Sequence, residues 1–163
     1  MATGSSSTAP APITLRRAAP ADLPAVTALL NRYYTEWHVW EHDPPARVLH
    51  YIEQSPPLGY LLAERDGALV GCVMLRAIPS VPSAAECKRL FVLPEIRGRG
   101  LASQLMDHIE SLASAHHLAW IYLDSTEEFS AALSFYRIRG YEPCERFNTN
   151  SQATLFFRKR LTA

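Results

Sequence analysis

No apolar run in this 163-residue chain approaches the ~20 residues a helix needs to cross a bilayer, which excludes a helical membrane span within it. Cysteine is scarce. Cys72, Cys87 and Cys144 are odd in number and far apart, with neither zinc-ligand pairing nor a disulfide framework, so a reduced, cytoplasmic protein is expected. Charge of one sign is missing as well: sixteen basic residues balance sixteen acidic ones, and no whole-molecule field would hold the chain on nucleic acid or an anionic membrane. Any phosphate recognition must be local. Residues 1–12 are small, polar and Pro-containing, lack the basic and apolar halves of a secretory signal, and read as a disordered tail. The remaining residues 13–163 suit one domain, since 48% apolar and 20% charged content can build a proper core.

Periodicity divides that domain. Ile13 to Arg17 alternates as a short strand, and Asp22 is placed to cap a helix with Leu23, Val26, Leu29, Leu30 and Tyr33 on its apolar face. Ala46 to Gln54 predicts a second helix between Pro-rich stops. Tyr60 to Glu64 and Ala68 to Arg76 flank Arg65-Asp66-Gly67, a tight-turn signal for a hairpin, and Ala84 to Leu93 adds a third strand. From about Gly100 to Ala115 the period becomes helical, with Leu101, Leu105, Met106, Ile109 and Leu112 on one face. Leu118 to Leu123 reads as a buried strand completing a parallel crossover. A last helix from about Glu128 to Arg139 precedes a closing antiparallel pair, Tyr141 to Phe147 and Ala153 to Arg158. The result is an α/β (α+β) arrangement, a mixed sheet with helices on both faces.

The most specific feature is Arg97-Gly98-Arg99-Gly100-Leu101-Ala102-Ser103, lying after a strand and opening an amphipathic helix. A helix start carries N–H groups without intrahelical partners and the positive end of the dipole, so it stabilises an anion. Glycines admit a close approach, and Arg97 and Arg99 could add charge-assisted hydrogen bonds to a diphosphate. A Walker loop would need Gly-Lys-Ser or Gly-Lys-Thr, which is absent. The dinucleotide fingerprint would need glycine where Ser103 stands, although Asp124 at the end of the next strand matches its acidic residue.

With these residues in place, the sequence resembles the GNAT superfamily of acyl-CoA-dependent N-acyltransferases from about Ile13 to Arg158, most strongly from Glu86 to Tyr141. Arg97, Gly100 and Ala102 fit its signature of Gln or Arg, two residues, Gly, one residue, Gly or Ala. Lys88 to Glu95 resembles its fourth strand and turn, and Phe135-Tyr136-Arg137-Ile138-Arg139-Gly140-Tyr141 its last helix and following strand. The resemblance implies a mostly antiparallel twisted sheet whose parallel strands 4 and 5 splay to bind coenzyme A. It implies acetyl-CoA as co-substrate, no metal, and an N-acetyltransferase acting on a primary amine of a small molecule or amino acid derivative by direct attack in a ternary complex. In that reading Leu90, Phe91 and Val92 meet the pantetheine arm by strand addition, and Arg97, Gly98, Arg99, Gly100, Leu101 and Ala102 hold the diphosphate. One departure stands out: Phe129 occupies the place of an Asn that many members carry seven residues before the tyrosine.

Acyl transfer to an amine needs a neutral nucleophile, an oxyanion donor and a proton for the leaving thiolate. By the resemblance, Tyr136 is the acid, Glu86 the base and the Leu90 N–H the oxyanion donor. Tyr33 and Trp37, with Glu86, are candidates for the acceptor wall, because the loop between the first two helices lines that site in related enzymes. A peptide N-terminus as acceptor, and a non-catalytic acyl-CoA sensor or docking module, are the alternatives, and monomer and homodimer are both open. His38-Val39-Trp40-Glu41-His42 spells a zinc-peptidase pattern, which requires both histidines on one helix face, yet Asp43-Pro44-Pro45 stops a helix at once. Arg158, Lys159 and Arg160 read as a solvated C-terminal run.

Overall fold

Seven strands in the order β1-β2-β3-β4-β5-β7-β6 form one sheet in a computed structural model that describes residues 9–162. The predicted disordered tail therefore lies largely outside the described residues, and Pro10 to Ile13 precede the first strand without regular structure. Strand β1 (Thr14–Arg17) pairs antiparallel with β2 (Gly59–Arg65), and β2 with β3 (Ala68–Ala77). Asp66 and Gly67 both have positive φ (51° and 74°), the conformation of a two-residue hairpin turn whose twist matches its strands.

Between β1 and β2 lie helix α1 (Leu23–Glu36), which buries Val26, Leu29, Leu30 and Tyr34, and helix α2 (Pro45–Ile52). Asp22 stands at the N-cap of α1, but its side chain does not cap that helix. Its carboxylate accepts from the Ala19 N–H (2.7 Å) and pairs with Arg16 (2.8 Å), so it ties the turn to β1 instead.

Strand β4 (Ala84–Val92) pairs antiparallel with β3, and helix α3 (Leu101–Ala115) then crosses to β5 (Trp120–Ser125), which runs parallel to β4. The α3 stripe is Leu101, Leu105, Met106, Ile109 and Ala113; Ala113 takes the place expected of Leu112 because it lies four residues after Ile109. Faces alternate along the strands. Gly71 of β3 meets Leu101 and Leu105 of α3, while Phe91 of β4 packs edge-on against Tyr33 of α1, so helices cover both faces.

Helix α4 (Ser130–Ile138) leads to β6 (Glu142–Pro143) and β7 (Leu155–Arg160). The closing pair is shorter than expected from Tyr141 to Phe147, because residues 144–154 leave the sheet as a loop. Nor is the C-terminal basic run solvated throughout: Lys159 reaches Glu110 of α3 (2.9 Å), and Arg158 lies over the Trp120 ring (4.4 Å). Lys159 is one of three groups that bind Glu110, with Arg139 (3.0 Å) and the Tyr141 hydroxyl (3.0 Å), so a single carboxylate joins α3 to the end of α4 and to β7.

Candidate active site

Strands β4 and β5 are paired only from Ala84 to Glu86, opposite Trp120 to Tyr122. Beyond that point they part, so Cys87 to Val92 have a strand neighbour only on the β3 side. A bulge reinforces the split: between Cys72 and Met74 the register shifts, leaving Val73 opposite both Arg89 and Leu90, and Arg89 takes φ 59°. Main-chain donors and acceptors are thereby left facing a gap, which an amide-bearing extended ligand can satisfy by strand addition. The gap opens into a cavity of about 690 Å³ whose lining includes Leu90, Phe91 and Val92 from β4, Asp124 from β5 and Tyr136 from α4.

At one end of this cavity stands the start of α3. Gly98 and Gly100 both have φ 79°, the left-handed region that favours glycine, and nothing lies within 4 Å of where a Cβ would sit on either. Gly100 is the N-cap, and Gln104 is the first N–H bonded back to it (3.1 Å), so the amides of Leu101, Ala102 and Ser103 have no intrahelical acceptor. A diphosphate fits this open cradle of amides at a helix N-terminus. The two arginines differ. Arg97 turns back, its Nε donating to the Val92 carbonyl (2.9 Å) and its Nη1 to Glu36, with its guanidinium over the Trp37 and Phe91 rings. It therefore braces the loop against β4 and α1. Arg99 is exposed.

The expected base has a different setting from the one its position suggested. Glu86 is buried (3% exposed), it does not line the cavity, and both its oxygens are occupied: Oε2 accepts from Arg76 (2.8 Å), Oε1 from Asn148 (2.9 Å) with Lys88 at 3.3 Å. Lys88 continues the chain of charges to Asp124 (2.9 Å), whose Oδ2 also accepts from Asn148 (2.7 Å) and Asn150 (3.1 Å). Burial would raise the Asp124 pKa, yet Lys88 and the two amides outweigh it and hold the carboxyl below its ordinary range.

Tyr136 lines the cavity with its ring edge-on to Phe135 and Tyr141, and burial pushes its phenol well above the usual tyrosine range. It is therefore a protonated donor at any physiological pH. Tyr33 also lines the cavity, its ring beneath the Arg89 guanidinium (5.6 Å), which is paired with Asp43 (3.1 Å). Trp37 also lines the cavity, standing between the Arg97 guanidinium and the Phe129 ring. Over the cavity, Gln152 joins two loops by accepting from the Trp40 N–H (3.1 Å) and donating to the His38 carbonyl (2.9 Å).

Sequence reasoning missed Asn148, Asn150 and Gln152, and it read Asp124 only as a nucleotide-fold marker. The spacing Asn148-x-Asn150-x-Gln152 was the available signal, since alternate polar side chains on one short loop can point one way. The zinc pattern is not assembled: α1 ends at Glu36, His38 has φ 51°, and His42 stacks on Tyr34 at 4.1 Å. Among the described residues no group of three potential ligands could hold a metal ion. No helix among them is long and apolar enough to cross a membrane.

A model of the acetyltransferase (GNAT) family matches residues 23–141. The chain belongs to the GNAT family. It is an acyltransferase, an acetyl-CoA-dependent N-acetyltransferase, and not a binding module alone. Among curated proteins it is similar to an IAA acetyltransferase of Azospirillum brasilense, 28% identical over 135 residues, covering 79% of this chain and 84% of that one. An uncharacterized N-acetyltransferase of Escherichia coli, YjgM, is 25% identical over 143 residues, covering 82% and 84%. The fold is shared with a GNAT-family acetyltransferase of Staphylococcus aureus Mu50 (TM-score 0.79, 17% identity, 93% of this chain and 100% of that one). It is shared also with the PaiA N-acetyltransferase of Thermoplasma acidophilum in complex with coenzyme A (TM-score 0.75, 18% identity, 91% and 99%).

Proposed function

We propose that this enzyme acetylates a primary amine of a small molecule or amino acid derivative by direct attack within a ternary complex. The observation that carries the reading is the parting of β4 and β5 after Glu86, which puts the free edge of β4, the amides of α3 and the Tyr136 hydroxyl around one cavity. Residues 97–102 would hold the diphosphate, and Leu90 to Val92 the pantetheine arm; bound there, acetyl-CoA supplies an activated acetyl thioester. Two features support a small acceptor over a peptide. The cavity is of small-molecule size, and Gln152 ties the loops above it, which narrows access for a chain terminus.

The protein's own groups then divide the work. The Leu90 N–H is the donor for the developing oxyanion, a contribution of about 3 kcal/mol when such a donor is preformed. Tyr136 gives its proton to the departing thiolate sulfur, a task suited to a phenol that burial keeps protonated. It is reprotonated through water by the proton that the acylated nitrogen releases on becoming an amide. Glu86 serves the site from behind: with both oxygens held, it fixes Lys88 and Asn148 rather than taking a proton itself. Tyr33 forms part of the floor.

Calorimetry with acetyl-CoA, followed by thiol release and mass detection across phenethylamine, spermidine, glycinamide and a short peptide amide, tests the reading. Binding with turnover on a small amine is expected. Absence of coenzyme binding would overturn it, and turnover confined to the peptide would replace the acceptor class.

A further inference from the structure

Asp124 is nine-tenths buried, its side chain 9% exposed, and its two oxygens are treated unequally. Lys88, Asn148 and Asn150 all donate to Oδ2, at 2.9, 2.7 and 3.1 Å. Oδ1 receives no hydrogen bond from any described residue, and it is not sealed off from solvent either. Asp124 lines the cavity, and Oδ1 is its carboxylate oxygen without a protein partner among the described residues.

A carboxylate oxygen on a cavity wall that no protein group engages is free to accept from a donor that arrives with a ligand. Which ligand follows from position. Tyr122, opposite Glu86, is the last β5 residue paired with β4; Asp124 comes after it, where the strands have parted, and so stands on the far wall of the gap from Leu90. Tyr136 faces the same space, and the Asp124 charge contributes to the upward push on its phenol. The pantetheine arm needs the free edge of β4, which leaves Oδ1 for the other reactant.

We infer that Asp124 Oδ1 accepts an N–H of the attacking amine and holds its lone pair toward the thioester, with Lys88, Asn148 and Asn150 fixing the carboxylate. This rests on the acetyltransferase reading above and adds a residue to it. Glu86 cannot do the same, because both its oxygens are engaged. The cluster of Arg76, Glu86, Lys88 and Asp124 carries two positive and two negative groups. A neutral amine therefore enters it without adding net charge, whereas an ammonium would leave one buried positive charge uncompensated. The acceptor class that fits is a primary amine losing its extra proton to water on entry.

Removing Asp124 alone would leave Lys88 with only the longer contact to Glu86 (3.3 Å), a carboxylate already shared with Arg76, so the test compares Lys88→Met with the double variant Lys88→Met/Asp124→Asn, in which both charges are gone. The assay is thiol release from acetyl-CoA with whichever of phenethylamine, spermidine or glycinamide the wild type turns over fastest. Loss of one hydrogen bond to a charged acceptor predicts that kcat/KM in the double variant falls about ten- to a hundredfold below Lys88→Met. Acetyl-CoA affinity by calorimetry should be equal in the two. Equal kcat/KM would show that Asp124 only neutralises Lys88 and would overturn the inference, as would a coenzyme affinity that falls in parallel. Absence of turnover by the wild type on every amine would overturn the proposed small-amine acceptor class, and this inference with it.

Discussion

Replacing Gly100 by alanine separates backbone strain from ligand recognition, because the molecule contains its own control. Gly100 (φ 79°) opens α3, and Gly67 (φ 74°) sits in the β2–β3 turn; neither has any atom within 4 Å of an added Cβ. Alanine at either position meets no clash and incurs only the left-handed backbone penalty, about 1–2 kcal/mol. For a chain of this length that corresponds to a fall in Tm of about 2–8 °C for both variants. The two differ in where the methyl is placed. At Gly100 it is added at the N-cap, directly before the unpaired amides of Leu101 to Ser103, where one lost charge-assisted hydrogen bond to a phosphate is worth about 1.5–3 kcal/mol. Calorimetry should therefore show acetyl-CoA Kd at least about tenfold weaker for Gly100→Ala and unchanged for Gly67→Ala. Wild-type affinity in Gly100→Ala, or an equal loss in Gly67→Ala, would refute the placement of the diphosphate on this helix start.

Three further outcomes are expected. Tyr136→Phe should lower kcat by about a hundredfold or more while leaving acetyl-CoA affinity intact; because burial raises the phenol pKa, the wild-type acid stays protonated and kcat measured from about pH 7 to 9 should show no fall caused by its ionisation. Glu110→Ala removes the shared partner of Arg139, Lys159 and Tyr141; Arg139 keeps Asp107 (2.6 Å) but Lys159 loses its ion pair, so thermal melting should show a loss of about 2 kcal/mol, or about 4–8 °C, with turnover per folded molecule preserved. Burial pushes the Cys72 thiol up to about 12 and raises Cys87 still further, whereas Cys144 is only partly buried, its thiol raised by that partial burial, so a thiol reagent at about pH 8 should label Cys144 ahead of the other two in the native protein and all three residues in urea.

Local chemistry made much of the fold legible. The α3 stripe, the Asp66-Gly67 turn and the position of the glycine loop each depend on neighbours within a few residues, and the sequence records such neighbours directly. The position of Tyr136 was legible for a different reason: a motif singled it out, and it lies on the cavity wall. Side-chain partners were not legible. Nothing near Arg97 in sequence announces that Glu36 will take its guanidinium from 61 residues away, and the charge of a loop arginine looks the same whether it faces a phosphate or a carboxylate. Likewise Asp22 is placed as a helix cap, but Arg16 on β1 competes for it and wins with a close ion pair.

The sequence by itself determined the family, the order of elements and the glycine-rich helix start proposed to hold the diphosphate, because periodicity, turn chemistry and a helix start are properties of short segments. Only the tertiary structure decided that Glu86 has no free oxygen and Asp124 has one. That difference arises from Arg76, Lys88, Asn148 and Asn150, which three strands and a loop bring together, and the number of donors around a carboxylate is set by packing in space rather than by spacing along the chain.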